Sequence, residues 1–126
     1  MKTDELIGRY LLAAAEHWEA QRHLGERSAL RHGNRAADEL RRIAVEIGSY
    51  GSTGVHALSR LLDDPRNGVD QWAAVHVLEV MTTPSDVIDR AFDALERIAL
   101  GDDANAIGTR MRLKELRAQF GRPATD

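Results

Sequence analysis

The chain has 126 residues, enough for one apolar core and too few for two, and with 43% apolar and 29% charged residues it does not have the composition of a disordered protein. It contains no cysteine, which excludes disulfides, thiolate nucleophiles and cysteine-ligated metals. The net charge of −3 argues against the strongly basic footprint of a nucleic-acid-binding domain.

Two Phe, two Tyr and two Trp leave the core to Leu, Ile, Val and Ala, which favours close helix packing over a β-sandwich. Thr3 is a suitable N-cap, and Leu6, Ile7, Tyr10, Leu11, Ala14 and Trp18 then follow helical spacing, predicting a helix from Asp4 to about Arg22. Gly25 to Gly33 reads as a polar connection. Asn34 then caps a second helix whose face is Ala36, Ala37, Leu40, Ile43, Ala44 and Ile47. Gly48, Gly51 and Gly54 read as a linker, because no strand precedes them and no Lys-Ser/Thr follows.

Ser52 or Thr53 caps a third, short helix containing Val55, Leu58, Leu61 and Leu62, stopped by Asp64-Pro65. A fourth carries Val69, Trp72, Ala73, His76, Val77 and Val80, with Val75 and Leu78 widening the stripe so that burial on more than one side is expected. Thr83-Pro84-Ser85-Asp86 opens a fifth, with Val87, Ile88, Ala91, Phe92, Leu95, Ile98 and Ala99 inward. The last helix runs from about Asn105 to Phe120, with Ile107, Met111, Leu116 and Phe120 expected inward and Arg110, Arg112, Lys114 and Arg117 outward.

Ala57-Leu58-Ser59-Arg60-Leu61 recurs as Ala94-Leu95-Glu96-Arg97-Ile98 at an offset of 37, and Val69, Ala73 and Leu78 match Ile107, Met111 and Leu116 at an offset of 38. Stacked helix pairs explain such a period, since one pair alone leaves an apolar face uncovered. The fold class expected is all-α, a single domain spanning residues 1–126. Its form would be a short, right-handed HEAT-like array of about three antiparallel helix pairs, near 4–50, 53–81 and 86–120. A helical bundle is the structural alternative.

Leu61-Leu62, Asp64-Pro65, Val69 and Ala73-Ala74 resemble the end of the first helix, the turn and the start of the second helix in a HEAT unit. The C-terminal unit departs from that pattern, having Asp102-Asp103 where Asp-Pro would stand. The order of segments, with Trp72-Ala73-Ala74 and His76, also resembles a small bacterial HEAT-like family of unknown function. That resemblance transfers no activity, and it permits a role as an immunity partner of a toxin.

No nucleophile elbow, phosphate-binding glycine loop or paired catalytic carboxylates are present, so no enzyme and no cofactor are expected. His76 and Glu79 have the i, i+3 spacing of a helical metal pair in reversed order and without partners, and no metal is expected. Residues 49–104 hold 4 basic and 10 acidic side chains, a balance suited to a basic partner protein. The candidate partner-binding residues are therefore Asp63, Asp64, Asp70, Trp72, His76, Glu79 and Asp86. For Trp72 and His76, packing in the core is the expected role and recognition the alternative.

The function expected is a non-catalytic protein-protein interaction module. The alternatives are nucleic-acid binding through the basic C-terminal helix or an enzyme of unrecognised type. A second basic set, Arg27, Arg31, Arg35, Arg41 and Arg42, lies in the first half. Met1 to Glu5 lacks the apolar stretch of a secretory signal, and no apolar run approaches the roughly 18 residues of a membrane span. No membrane association and a cytoplasmic location are therefore expected.

Overall fold

The computed structural model describes residues 2–23 and 25–123, and among them every regular element is helical. Six α-helices follow in chain order: α1 Lys2–Gln21, α2 Arg27–Gly48, α3 Ser52–Ser59, α4 Val69–Glu79, α5 Ser85–Ala99 and α6 Ala104–Gln119. Two 3-10 turns, Arg60–Asp63 and Arg66–Gly68, separate α3 from α4. None of these helices is long and apolar enough to cross a membrane.

The first two helices form the most extensive interface. Small residues make it possible: Ala13, Ala14 and Ala20 are buried on α1, and Gly33, Ala36 and Ala44 on α2. A methyl group added at Gly33 would stand 3.3 Å from the Ala20 Cβ. This close approach corrects the expectation of a polar loop over Gly25 to Gly33, because α2 begins at Arg27 and carries Gly33 within it. Burial against Ala20 offsets the low helix propensity of glycine.

From α2 the chain enters α3 through Gly51, whose positive φ of 65° admits the sharp turn. Gly54 is part of α3 rather than of a linker. A Cβ there would lie 1.8 Å from the Ile47 carbonyl oxygen, so α2 and α3 meet at a distance only glycine allows. Further on, Asn67 (φ 54°) and Gly68 (φ 68°) take consecutive left-handed conformations that reverse the chain after Pro65 and launch α4.

The core is one continuous cluster drawing on all six helices, from Leu6 and Tyr10 through Leu40, Ile43, Leu58, Leu62 and Val77 to Phe92, Leu95 and Leu116. Each such side chain contributes about 1.5–3 kcal/mol relative to its exposed state. The width of the α4 stripe is explained by its position, because α4 touches α1, α2, α3 and α5. Its residues from Ala73 through Leu78 are buried without interruption.

Arginines of α5 join it to the end of α3 and to the turn that follows. Arg90 donates to the Ser59 carbonyl at 3.2 Å and Arg97 to the Leu62 carbonyl at 2.9 Å, satisfying acceptors that a terminating helix leaves open. The Leu58 and Leu95 positions of the sequence repeat are both fully buried. The second half of the repeat is not equivalent: Val69 and Ala73 are buried, while Ile107 and Met111 are 51% and 67% exposed. α6 instead turns Ala106, Thr109, Leu113 and Leu116 inward. Ion pairs of Arg112 with Glu79 and of Arg117 with Glu96, and edge contact between Phe120 and Phe92, fix that rotation.

Candidate functional site

A groove of about 690 Å³ has the first two turns of α4 as its floor. One wall is the C-terminal half of α1, with His17, Trp18, Gln21 and Arg22. The other is the start of α6, with Asp103, Ala104, Asn105, Gly108 and Arg112. Asn67, Gly68, Gln71, Trp72 and Val75 close the floor. A second recess of about 440 Å³ lies between α1 and α2, but its lining of Glu16, His32, Arg35, Asp38, Glu39 and Arg42 is almost wholly charged. It therefore offers little apolar area for a ligand to cover.

Local sequence explains the groove. Gly68 has no side chain, and the Trp18 ring lies over it, with ring carbons 3.8 Å from where a Cβ would be. Gly108 leaves the opposite wall open, since nothing stands within 4 Å of its own Cβ position. Asp103 caps α6 by accepting from the Ala106 amide at 2.8 Å. Both tryptophans of the chain line this one groove. Trp18 is 45% exposed and Trp72 is half-buried.

An aromatic chain leads from the groove into the core. His17 meets the Trp72 ring edge-on at 5.0 Å between centroids, and Trp72 stacks on His76 at 5.7 Å. His76 Nδ1 hydrogen-bonds the Tyr10 hydroxyl at 2.6 Å. Burial, with smaller effects from Arg41 and Arg112, lowers the His76 pKa from 6.5 to about 4. Burial also raises Tyr10 well above the ordinary tyrosine value, so both partners are neutral at pH 7. His17, at the rim, is lowered by desolvation.

The candidate residues separate. Trp72 is in the groove, and His76 is core, 3% exposed, supporting it from beneath. Glu79 pairs with Arg112, tying the end of α4 to α6. Asp70 is 7% exposed; its carboxylate accepts from the Gln71 amide at 2.8 Å and lies 3.9 Å from Arg97. Burial raises its pKa. Asp64 accepts from both the backbone and the guanidinium of Arg66, whose hydrogen bond lowers the Asp64 pKa. Only Asp63 and Asp86 are fully exposed, and Asp63 is 3.7 Å from Arg97. The seven residues therefore do not form one surface: Asp64 is held by its near neighbour Arg66, while Asp63 and Asp70 face Arg97 and Glu79 meets Arg112, both distant in sequence.

Sequence reasoning missed the wall contributed by α6 and the amides of the rim. Gly108 was the available signal, an otherwise unexplained glycine inside a helix. Among the described residues, no three His, Asp or Glu side chains gather as metal ligands. The arrangement offers aromatic faces, hydrogen-bonding amides, one carboxylate, Asp103, and the guanidinium groups of Arg22 and Arg112 to a bound molecule. No family model, curated protein or solved structure matches the chain.

Proposed function

We propose that this chain is a non-catalytic protein-binding module whose groove receives an extended segment of a partner protein. Its three helix pairs, α1 with α2, α3 with α4 and α5 with α6, form a short, right-handed HEAT-like array. Adjacency of α1 to α3, of α2 to α4 and of the Arg60–Asp63 turn to α5 supports this reading, with α6 joined through α5 and through the Arg112–Glu79 ion pair.

The observation that carries the binding role is the convergence of Trp18 and Trp72 in one open groove rimmed by carboxamides. Tryptophans in concave, partly desolvated sites dominate the energetics of protein interfaces. The side-chain amides of Asn67, Gln71 and Asn105 make no hydrogen bond within the described chain, and each has donors and an acceptor to match an extended backbone. Partner charge is a weaker determinant: the groove lining carries Asp103 together with Arg22 and Arg112, and the exposed Asp63 and Asp86 outside it are the acidic groups that would favour a basic partner. An adaptor or immunity protein of the cytoplasm is the cellular form of this activity.

The nucleic-acid alternative through α6 has little free charge to draw on. Arg112 and Arg117 are paired with Glu79 and Glu96, and Arg110 donates to the Ala99 and Gly101 carbonyls at 2.7 and 3.0 Å. The test is selection from a random peptide display library on wild-type protein, with Trp18→Ala/Trp72→Ala as the counter-selection. Peptides enriched on the wild type should lose at least about 30-fold in affinity for the double variant, the loss expected when an aromatic anchor is truncated. Failure to enrich any sequence, or equal affinity for both proteins, would remove the proposal.

A further inference from the structure

α2 presents a second surface, on an element that contributes nothing to the groove. Arg27, Arg31 and Arg35 are exposed and stand one helical turn apart. Arg41 is exposed two turns beyond them. Among the described residues none of these four forms an ion pair, and neither does Arg60, whereas Arg90, Arg97 and Arg110 are engaged on carbonyls and Arg112, Arg117 and Arg122 on carboxylates. From Arg27 to Ala37 the sequence has no carboxylate, so Arg27 and Arg31 have none beside them on the helix, while Arg35 lines the recess it shares with Glu16, Asp38 and Glu39.

This arrangement works against the helix. Each arginine repels its i+4 neighbour, and the set begins at the end where the backbone dipole is already positive. No acidic residue stands in the first turn, and the Glu26 side chain makes no capping hydrogen bond. An external polyanion relieves both effects. Planar guanidinium groups match phosphate oxygens two at a time, and Ser28 and Asn34, exposed between the arginines, add neutral donors. The three arginines rise along the axis in steps of about 6 Å, within reach of successive charges on a nucleic-acid strand.

We propose that the first three turns of α2 bind the phosphodiester backbone of a nucleic acid. Contact is electrostatic and independent of base sequence, because no Phe, Tyr or Trp lies in these three turns to stack on bases.

The test is fluorescence anisotropy with a labelled duplex of about 20 base pairs and a single strand of equal length. Neutralising three phosphates gives a salt slope near −2.7, so affinity should fall about 40-fold between 50 and 200 mM salt. Arg27→Ala/Arg31→Ala/Arg35→Ala should bind at least tenfold more weakly with a flattened salt slope, and should melt no lower than wild type, since mutual repulsion is removed. The Trp18→Ala/Trp72→Ala protein should bind nucleic acid as wild type does, which separates this surface from the groove. Absence of binding at 50 mM salt overturns the proposal, as does binding indifferent to the triple substitution. A lower melting temperature for the triple variant would mean that the arginines serve the fold. Displacement of the duplex by a polyglutamate peptide at lower charge concentration would assign the face to an acidic protein instead.

Discussion

The pair of Tyr10 and His76 makes stability depend on pH through a single buried site. In the unfolded chain the His76 imidazole titrates near 6.5, and in the folded protein near 4. Between those values the unfolded state binds a proton that the folded state refuses, so stability is full above about pH 6.5 and declines as pH falls toward 4. With those two values, the loss between pH 7.5 and pH 5 is about 2 kcal/mol, and the full loss below pH 4 is about 3 kcal/mol. Unfolding entropy near 2.1 cal/mol/K per residue converts 1 kcal/mol to about 4 °C for a chain of this length, so the melting temperature should drop by about 8 °C from this group alone.

Other groups contribute as well: His17 is lowered in the same direction, and Asp70 is raised and gives an opposing contribution. The informative quantity is therefore a difference between two proteins. Tyr10→Phe/His76→Leu removes both polar partners together and should lie within about 1 kcal/mol of wild type at pH 7.5, because no buried group is left unsatisfied. Its melting temperature, followed by circular dichroism, should fall about 8 °C less than that of wild type on moving to pH 5. Parallel falls in the two proteins would refute the assignment of the pH effect to a buried neutral imidazole.

Three further outcomes follow from packing. Gly54→Ala forces a methyl group against the Ile47 carbonyl and should cost about 3 kcal/mol, read as a loss of roughly 12 °C in melting temperature. Gly8→Ala, at an exposed position inside α1 where a Cβ meets nothing within 4 Å, should raise the melting temperature by about 2–4 °C. Arg97→Met leaves the Leu62 carbonyl without its donor and the buried Asp70 without its nearest cation, and urea titration should show a loss of about 1–2 kcal/mol at pH 7.

Helical period made most of the fold legible. The inward faces of α1, α4 and α5 follow apolar spacing directly, and Asp64-Pro65 marks the end of the helical stretch that begins at Ser52. The misread stretches have a common cause. Gly33 and Gly54 look like breaks in a one-dimensional pattern, yet each sits inside a helix, where a neighbouring element approaches tightly at Gly33 and too closely for any side chain at Gly54. Likewise, Ile107 and Met111 have the hydrophobicity of a core face, but the rotation of α6 is set by Arg112 meeting Glu79 and Arg117 meeting Glu96 across 33 and 21 residues. Local composition carries no trace of such pairings. The candidate site was legible at Trp72 alone, because the groove is made by three elements distant in sequence. The acidic residues that sequence order grouped together are spent mostly on arginines of their own chain.

Because the chain's two tryptophans are both in the groove, their indole N–H signals report on it without interference. Titrating ¹⁵N-labelled protein with a display-selected peptide should move both indole resonances to saturation, together with the side-chain amides of Asn67, Gln71 and Asn105. Saturable binding that leaves both indole signals in place would contradict the groove as the binding site.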